Sequence, residues 1–221
     1  MLSKPVRAGA TLLLACSLSL LCACAPKFVS QAQAKQAGLA LFHQAFGVIA
    51  QDAHVEYFER AGSSVIDNSE VQPGDGTPEQ IYLVTISDQT LGADLYYAEV
   101  DAKTGVAYYA SKSGWLLAPL SADQSRQTDE VNAIGNNQDA TNVAQNETTE
   151  VVACDYMMHH FKKEVALIQS QGRCRRNADL SPRVGIGYFV TFADGALYRV
   201  GFSWPTMELN EIQSLGNELE K

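Results

Sequence analysis

Basic side chains are scarce: 16 lysines and arginines stand against 25 aspartates and glutamates, a formal net charge of −9. A surface that neutralises phosphates needs the opposite balance, so nucleic acid is not an expected partner. Long apolar runs are missing too. The longest, Ala8 to Leu21, would extend about 21 Å as a helix, short of the roughly 30 Å hydrocarbon core, so no permanent span is expected. Catalytic signatures are equally sparse. The sequence holds no His-Glu-x-x-His or Cys-x-x-Cys spacing for a metal, no Gly-x-Ser-x-Gly elbow and no phosphate-binding glycine loop. Neither a cofactor nor a metal nor a catalytic residue is expected from this inventory. With 46% hydrophobic and 19% charged residues, the composition is that of a globular chain.

What is present begins at the N-terminus. Lys4 and Arg7 precede the uncharged, leucine-rich Ala8 to Leu21, which is followed by Cys22-Ala23-Cys24. This is the layout of an export signal, residues 1–23. Leu21-Cys22-Ala23-Cys24 resembles the bacterial lipobox, and the resemblance implies that Cys24 becomes the lipidated first residue. Cys22, at a position that usually holds a small residue, departs from the pattern, and a plain signal cut after Ala23 or Ala25 is the alternative. Two or three acyl chains at about 0.8 kcal/mol per buried methylene would hold the protein on a cell membrane or outer membrane, outside the cytoplasm. The membrane is then a partner through that lipid alone, because losing Lys4 and Arg7 moves the charge to about −11 and anionic lipid repels it.

A tether over 24–29 leads to Ser30, the expected N-cap of a helix whose apolar residues Leu39, Phe42, Phe46 and Ile49 share a face and which should end near Gln51. His54 to Phe58 reads as a strand and Gln72 to Pro78 as a loop. From Gln80 the period becomes two, giving strands over Tyr82 to Ile86 and Leu95 to Val100 joined around Gly92, with a third over Val106 to Ser111. The turn Asp101-Ala102-Lys103-Thr104-Gly105 before it suits a bulged hairpin: the carboxylate accepts from nearby N–H groups and glycine takes a positive φ. Ser121 to Glu150 has few large apolar residues and reads as a flexible linker, 119–150. Beyond it Cys154, Met158, Phe161, Val165 and Ile168 fit a second helix, and Gly187 to Phe192 and Ala196 to Phe202 a hairpin about Asp194-Gly195. Pro205, Met207, Leu209, Ile212 and Leu215 fit a closing helix. The expectation is an α+β chain with a helix on a small antiparallel sheet, in two tandem units, 30–118 and 151–221, the second degenerate.

Tyr82-Leu83-Val84-Thr85-Ile86 and Tyr96-Tyr97-Ala98-Glu99-Val100-Asp101-Ala102-Lys103-Thr104-Gly105-Val106 resemble the PepSY domain, in which a helix precedes a small sheet with a Val-Asp-x-x-Thr-Gly turn. The likeness covers about residues 30–112. It implies a non-catalytic extracytoplasmic module, found in propeptides of thermolysin-like peptidases and in envelope proteins, for which peptidase inhibition or protein binding has been proposed. Two departures stand out: the segment 52–79 is longer than the family usually has, and the second unit lacks the turn sequence.

After export, Cys154 and Cys174 remain. A bond between them would close a loop of about 20 residues and stabilise by roughly 3 kcal/mol, provided that the loop folds back along the helix; the alternative is a buried Cys154 and an exposed Cys174. Arg173, Arg175 and Arg176 around Cys174 favour its thiolate, so a thiol-dependent hydrolase with His159 or His160 as base is the competing enzyme reading. Asp155 and His159 share a helical face but make only a pair. The strands are rich in tyrosine, and adjacent pairs put one ring on each sheet face. Tyr96, Tyr97, Tyr108 and Tyr109 are therefore the candidate binding surface for an extended peptide or glycan. The leading expectation is an anchored lipoprotein that binds an envelope protein or peptide without catalysis, with inhibition or regulation of an envelope peptidase as the role the resemblance implies. A purely structural envelope protein is the third reading.

Overall fold

The computed structural model describes residues 28–59, 79–133, 143, 147–173 and 183–217. Helix α1 (Gln31–Phe46) leads into β1 (His54–Glu59), β2 (Gln80–Asp88), β3 (Ala93–Asp101) and β4 (Ala107–Lys112). A short 3-10 turn (Gly114–Leu116) and α2 (Ala122–Ala133) follow. Then α3 (Glu147–Phe161) precedes β5 (Val165–Arg173), β6 (Val184–Phe192), β7 (Ala196–Trp204) and β8 (Glu208–Asn217). Each unit is thus one helix and a four-stranded antiparallel meander, and the fold class is α+β, as expected.

The two meanders form one eight-stranded sheet in the order β1-β2-β3-β4-β8-β7-β6-β5. The order is a palindrome about the β4–β8 ladder, where Ala110 pairs with Ile212, Tyr109 with Gln213 and Ser111 with Glu211. Exchanging the units maps this ladder onto itself, with Ala110 equivalent to Ile212. Phe42, Val84 and Val100 of the first unit and Tyr188, Phe202 and Ile212 of the second belong to one core, which also takes Ala153, Met157 and Phe161 from α3. The described helices that pack on the sheet therefore share one face of it.

Local chemistry explains the α1 boundaries. The Ser30 hydroxyl accepts from the Gln33 N–H, and the Gln33 side chain accepts from the Ser30 N–H, a reciprocal capping box. Gly47, at φ 70°, ends the helix by donating to the His43 carbonyl at 2.9 Å. The helix is therefore four or five residues shorter than the apolar spacing predicts, and Ile49 is left 87% exposed. Gly38 lies against Val84: a Cβ there would sit 2.8 Å from the valine side chain, so only glycine lets α1 approach β2 this closely.

The second unit departs further from expectation. The stretch 119–150, expected to be a flexible linker, carries α2 and the first turn of α3. Helix α3 stops at Phe161, followed by Lys162 at φ 55°, and Val165 and Ile168 lie in β5. Its buried stripe is Thr149, Ala153, Met157 and Phe161, one position off the predicted Cys154–Met158 face. The expected closing helix after Pro205 is β8. Leu209 pairs with Phe202 and Ile212 with Val200, with an extra residue between them. That bulge puts two apolar residues three apart on one face, a spacing that reads as helical in the sequence.

Candidate functional site

The face away from the helices carries its own apolar cluster, Ile81, Tyr108 and Tyr109, with Leu83 and Tyr97 beside it and no helical residue among its members. Strand alternation puts Ile81 and Leu83 of β2, and Tyr97 and Glu99 of β3, on this face. In β4 a bulge places Tyr108 and Tyr109 opposite Glu99, since Glu99 pairs with Tyr109 while Val100 pairs with Ala107. Both tyrosines consequently point the same way. Glu99 is buried, and its carboxylate accepts from the Tyr97 hydroxyl at 2.8 Å and from the Tyr108 hydroxyl. Tyr97 and Tyr109 meet edge to face at 6.0 Å.

Of the four candidate tyrosines, the structure gathers Tyr97, Tyr108 and Tyr109 and separates Tyr96. The Tyr96 ring packs on Phe42 and Phe46 under α1, each at 5.8 Å, as part of the core. The expectation that adjacent tyrosines straddle the sheet holds for Tyr96-Tyr97 and fails for Tyr108-Tyr109, because the bulge cancels one alternation.

The turn between β3 and β4 is built as its sequence predicts. Asp101 Oδ1 accepts from the Lys103 N–H at 2.7 Å, its Oδ2 from the Thr104 hydroxyl at 2.8 Å, and Gly105 takes φ 74°. The second unit makes a turn of the same length with other residues, Ser203-Trp204-Pro205-Thr206-Met207. Thr206 donates to the Ser203 carbonyl at 3.1 Å, and Met207, at φ 54°, takes the place of Gly105. The turn sequence is lost there, but its geometry remains.

Equivalent positions on the second half of this face hold very different side chains. Gly187 pairs with Gly201 where Leu83 pairs with Glu99, and Gly185 pairs with Ser203 where Ile81 pairs with Asp101. A second bulge puts Asn210 and Glu211 opposite Gly201, where Tyr108 and Tyr109 oppose Glu99. Arg199 takes the place of Tyr97 and reaches Glu211 at 3.5 Å, an ion pair whose carboxylate side is buried. Asn210 and Ser203 are fully buried, and neither the Asn210 amide oxygen and nitrogen nor the Ser203 hydroxyl has a hydrogen-bond partner. Residue-type reasoning missed Glu99, Arg199, Asn210 and Glu211. The readable signal was Val184-Gly185-Ile186-Gly187, glycine at every second strand position, which strips one face of side chains.

The remaining candidates lie apart. Cys24 and Cys174 are outside the described residues, and with Cys174 the pairing to Cys154. Cys154 is a free, half-buried thiol on α3, and burial, with Asp155 beside it, pushes its pKa up, which disfavours the thiolate a nucleophile needs. His159 is exposed, and its ring meets that of His160 edge to face at 5.5 Å. His160 stacks on Tyr156 with centroids 4.1 Å apart, and its Nδ1 lies 3.1 Å from the Gln44 carbonyl. The Tyr156 hydroxyl donates to the Ala45 carbonyl at 2.6 Å, so α3 caps the last turn of α1 and couples the units. Burial pushes the Tyr156 hydroxyl up to about 12 and lowers the His160 pKa, keeping His160 neutral at pH 7. Among the described residues no three histidine, cysteine, aspartate or glutamate side chains converge for a metal, and no helix is long and apolar enough to cross a membrane.

The architecture defines an α+β protein in which two helix-and-meander units share one sheet. No protein-family model matches the chain, and no curated protein does either. Among solved structures it is similar to the Bacillus megaterium YpeB C-terminal domain, with a TM-score of 0.40 and 9% identity, covering 86% of this chain. The chain spans 64% of that structure's length.

Proposed function

We propose that this chain is an exported lipoprotein, anchored through Cys24 to the outer side of a cell membrane or outer membrane, that binds an envelope protein or peptide without catalysis. The observation that carries this reading is the sheet face without helices, with Tyr97, Tyr108 and Tyr109 gathered on it around Glu99. Tyr108 and Tyr109 are buried, at 9% and 8% exposure, and support the half-buried Tyr97, whose ring is the one that offers contact area; a sheet face suits an extended partner. Regulation of an envelope peptidase is the role that the PepSY-like turn and strands favour. Phe58 of β1, which pairs with Ile81 and is 36% exposed, adds to the surface.

The test is capture from detergent-solubilised envelope by wild type and by Tyr97→Ser/Tyr109→Ser. Loss of one stoichiometric partner in the double variant, with the circular dichroism spectrum retained, is the expected result. Equal capture by both would remove the face from the account, and labelled palmitate that fails to incorporate in a Cys24→Ser-sensitive manner would remove the anchor.

A further inference from the structure

The eight-stranded sheet has two outer strands, β1 and β5, and their edges are built differently. Along β5 the ladder to β6 shifts register twice, between Val165 and Leu167 and between Ser170 and Gly172. Bulges of this kind bend an edge and spoil it as a template for another strand. Along β1 the ladder to β2 runs without a shift from His54 opposite Thr85 to Glu59 opposite Gln80. In such an antiparallel ladder only alternate residues of β1 spend their N–H and C=O groups on β2, and the others point outward. Among the described residues no strand pairs with that outer margin. Five of the six β1 side chains are exposed, and they include Tyr57 and Phe58, at 37% and 36%, on opposite faces of the strand. The Tyr57 ring is held in place by Phe28, stacked on it at 5.6 Å.

We infer that the outer edge of β1 receives an extended, basic peptide segment as an antiparallel ninth strand of the sheet. The inference rests on the binding reading above and names the partner's chemistry and how it attaches. Main-chain bonds to the outward groups of β1 supply the attachment, and alternate side chains of the added strand lie beside Tyr57 on one face and Phe58 on the other. Charge decides the partner's composition. The strand holds Glu56 and Glu59 and no lysine or arginine, in a chain of net charge −9, so opposite-sign residues across the ladder are favourable. A second copy of this chain fits poorly. Two β1 strands related by a two-fold axis centred on Glu56 set like carboxylates against each other, and centred on Tyr57 they set each Glu56 against a Phe58. The same side chains that discourage self-pairing therefore admit a basic strand. Glu56 and Phe58 pair with Leu83 and Ile81, so a strand added here also widens the helix-free face that carries Tyr97.

The experiment is a titration of the 15N-labelled full chain with acetyl-Lys-Val-Val-Lys-Val-Thr-amide, whose lysines come opposite Glu59 and Glu56 in the antiparallel register. Saturable shifts confined to β1 and its β2 neighbours are expected, with slowed hydrogen exchange at the β1 amides that do not bond to β2. Two further peptides, N-methylated at the odd or at the even residues, test the pairing itself. One should lose binding at least tenfold and the other retain it, since only alternate N–H groups of an added strand face β1. Acetyl-Glu-Val-Val-Glu-Val-Thr-amide should bind at least tenfold more weakly, and so should the lysine peptide to Glu56→Lys/Glu59→Lys, whose exposed positions leave the fold intact. Motionless β1 signals, equal binding by the two methylated peptides, or equal binding by the glutamate peptide would each overturn the inference. Outward β1 amides already protected in the free protein, by its own chain or in a dimer seen by ultracentrifugation, would overturn it too. Envelope capture that survives in Glu56→Lys/Glu59→Lys defeats this inference alone; peptide pairing without any captured partner defeats the broader function and leaves the edge.

Discussion

Where the two units are compared strand by strand, the backbone repeats and the side chains do not. Both have a bulge in the last strand, a six-residue step between paired strands and a positive-φ residue before the final strand, Gly105 in one and Met207 in the other. On the helix side both halves are conventionally apolar and join in one core. Opposite it, the first half is packed with Ile81, Leu83, Tyr97, Tyr108 and Tyr109, and the second is floored by glycine and lined by Asn210, Arg199 and Glu211. Hydrogen bonding and one shared core constrain the architecture of both halves, while the face that no described helix covers is left to differ. The comparison teaches that the repeat is structural and the specialisation lies on one face.

The strongest way to break that comparison is through the shared core. Phe202→Ala should cost about 3–5 kcal/mol, and because Phe202 belongs to a core common to both units, urea unfolding should stay a single transition with β2 and β6 amides losing protection together. Two separate transitions would mean that the halves fold independently. Next in size is the contrast between adjacent tyrosines. Tyr96→Ser should lose about 3 kcal/mol, since its ring is wedged between α1 and the sheet, whereas Tyr97→Ser should stay within about 1 kcal/mol of wild type in a thermal melt.

These tyrosines also mark how far the sequence could be read. The period-two pattern identified β2, β3, β4, β6 and β7, and the capping residues identified the start of α1, because both signals are local. The Asp101 turn was legible for the same reason: its carboxylate bonds lie within three residues. What escaped depended on bulges. One inserted residue at Tyr108 brought two rings to one face, and one at Asn210 disguised β8 as a helix. The missed strand β5 has a related cause, since Val165 and Ile168 continue the apolar spacing of α3 and only Lys162, at φ 55°, breaks it. The difference between the units was hidden because its signal is missing side chains at Gly185, Gly187 and Gly201, whose meaning emerges only when they are set against Ile81, Leu83 and Glu99.

Smaller effects sharpen the comparison at the turns. Gly105→Ala should cost about 1–2 kcal/mol, from the positive φ and from a Cβ only 3.1 Å from Val29 Cγ1, whereas Met207→Asn should be neutral within about 0.5 kcal/mol, as asparagine tolerates that conformation. Equal costs in chemical denaturation would mean that the two turns are not equivalent. The smallest effect is set by pH. Hydrogen bonds from Lys35 and Lys163 hold the Asp52 and Asp194 carboxyls below the usual carboxylate value, and burial lowers the pKa of His160. In each case the unfolded chain binds the proton more readily, so stability is complete near neutrality and falls as pH falls, first below about 6.5 for His160 and then below about 4 for the carboxylates. The melting temperature should follow that two-stage decline, and His160→Gln should erase the first stage only.

The central claim is that both units share one continuous sheet, joined where β4 meets β8. Hydrogen exchange of the intact protein tests it most directly, through the ladder amides of Tyr109, Ser111, Glu211 and Gln213. The account predicts that they exchange only through global unfolding, with the same protection as the amides of β2 and β6. Exchange of this ladder at markedly lower free energy, with each meander still protected, would show two units that merely touch and would contradict it.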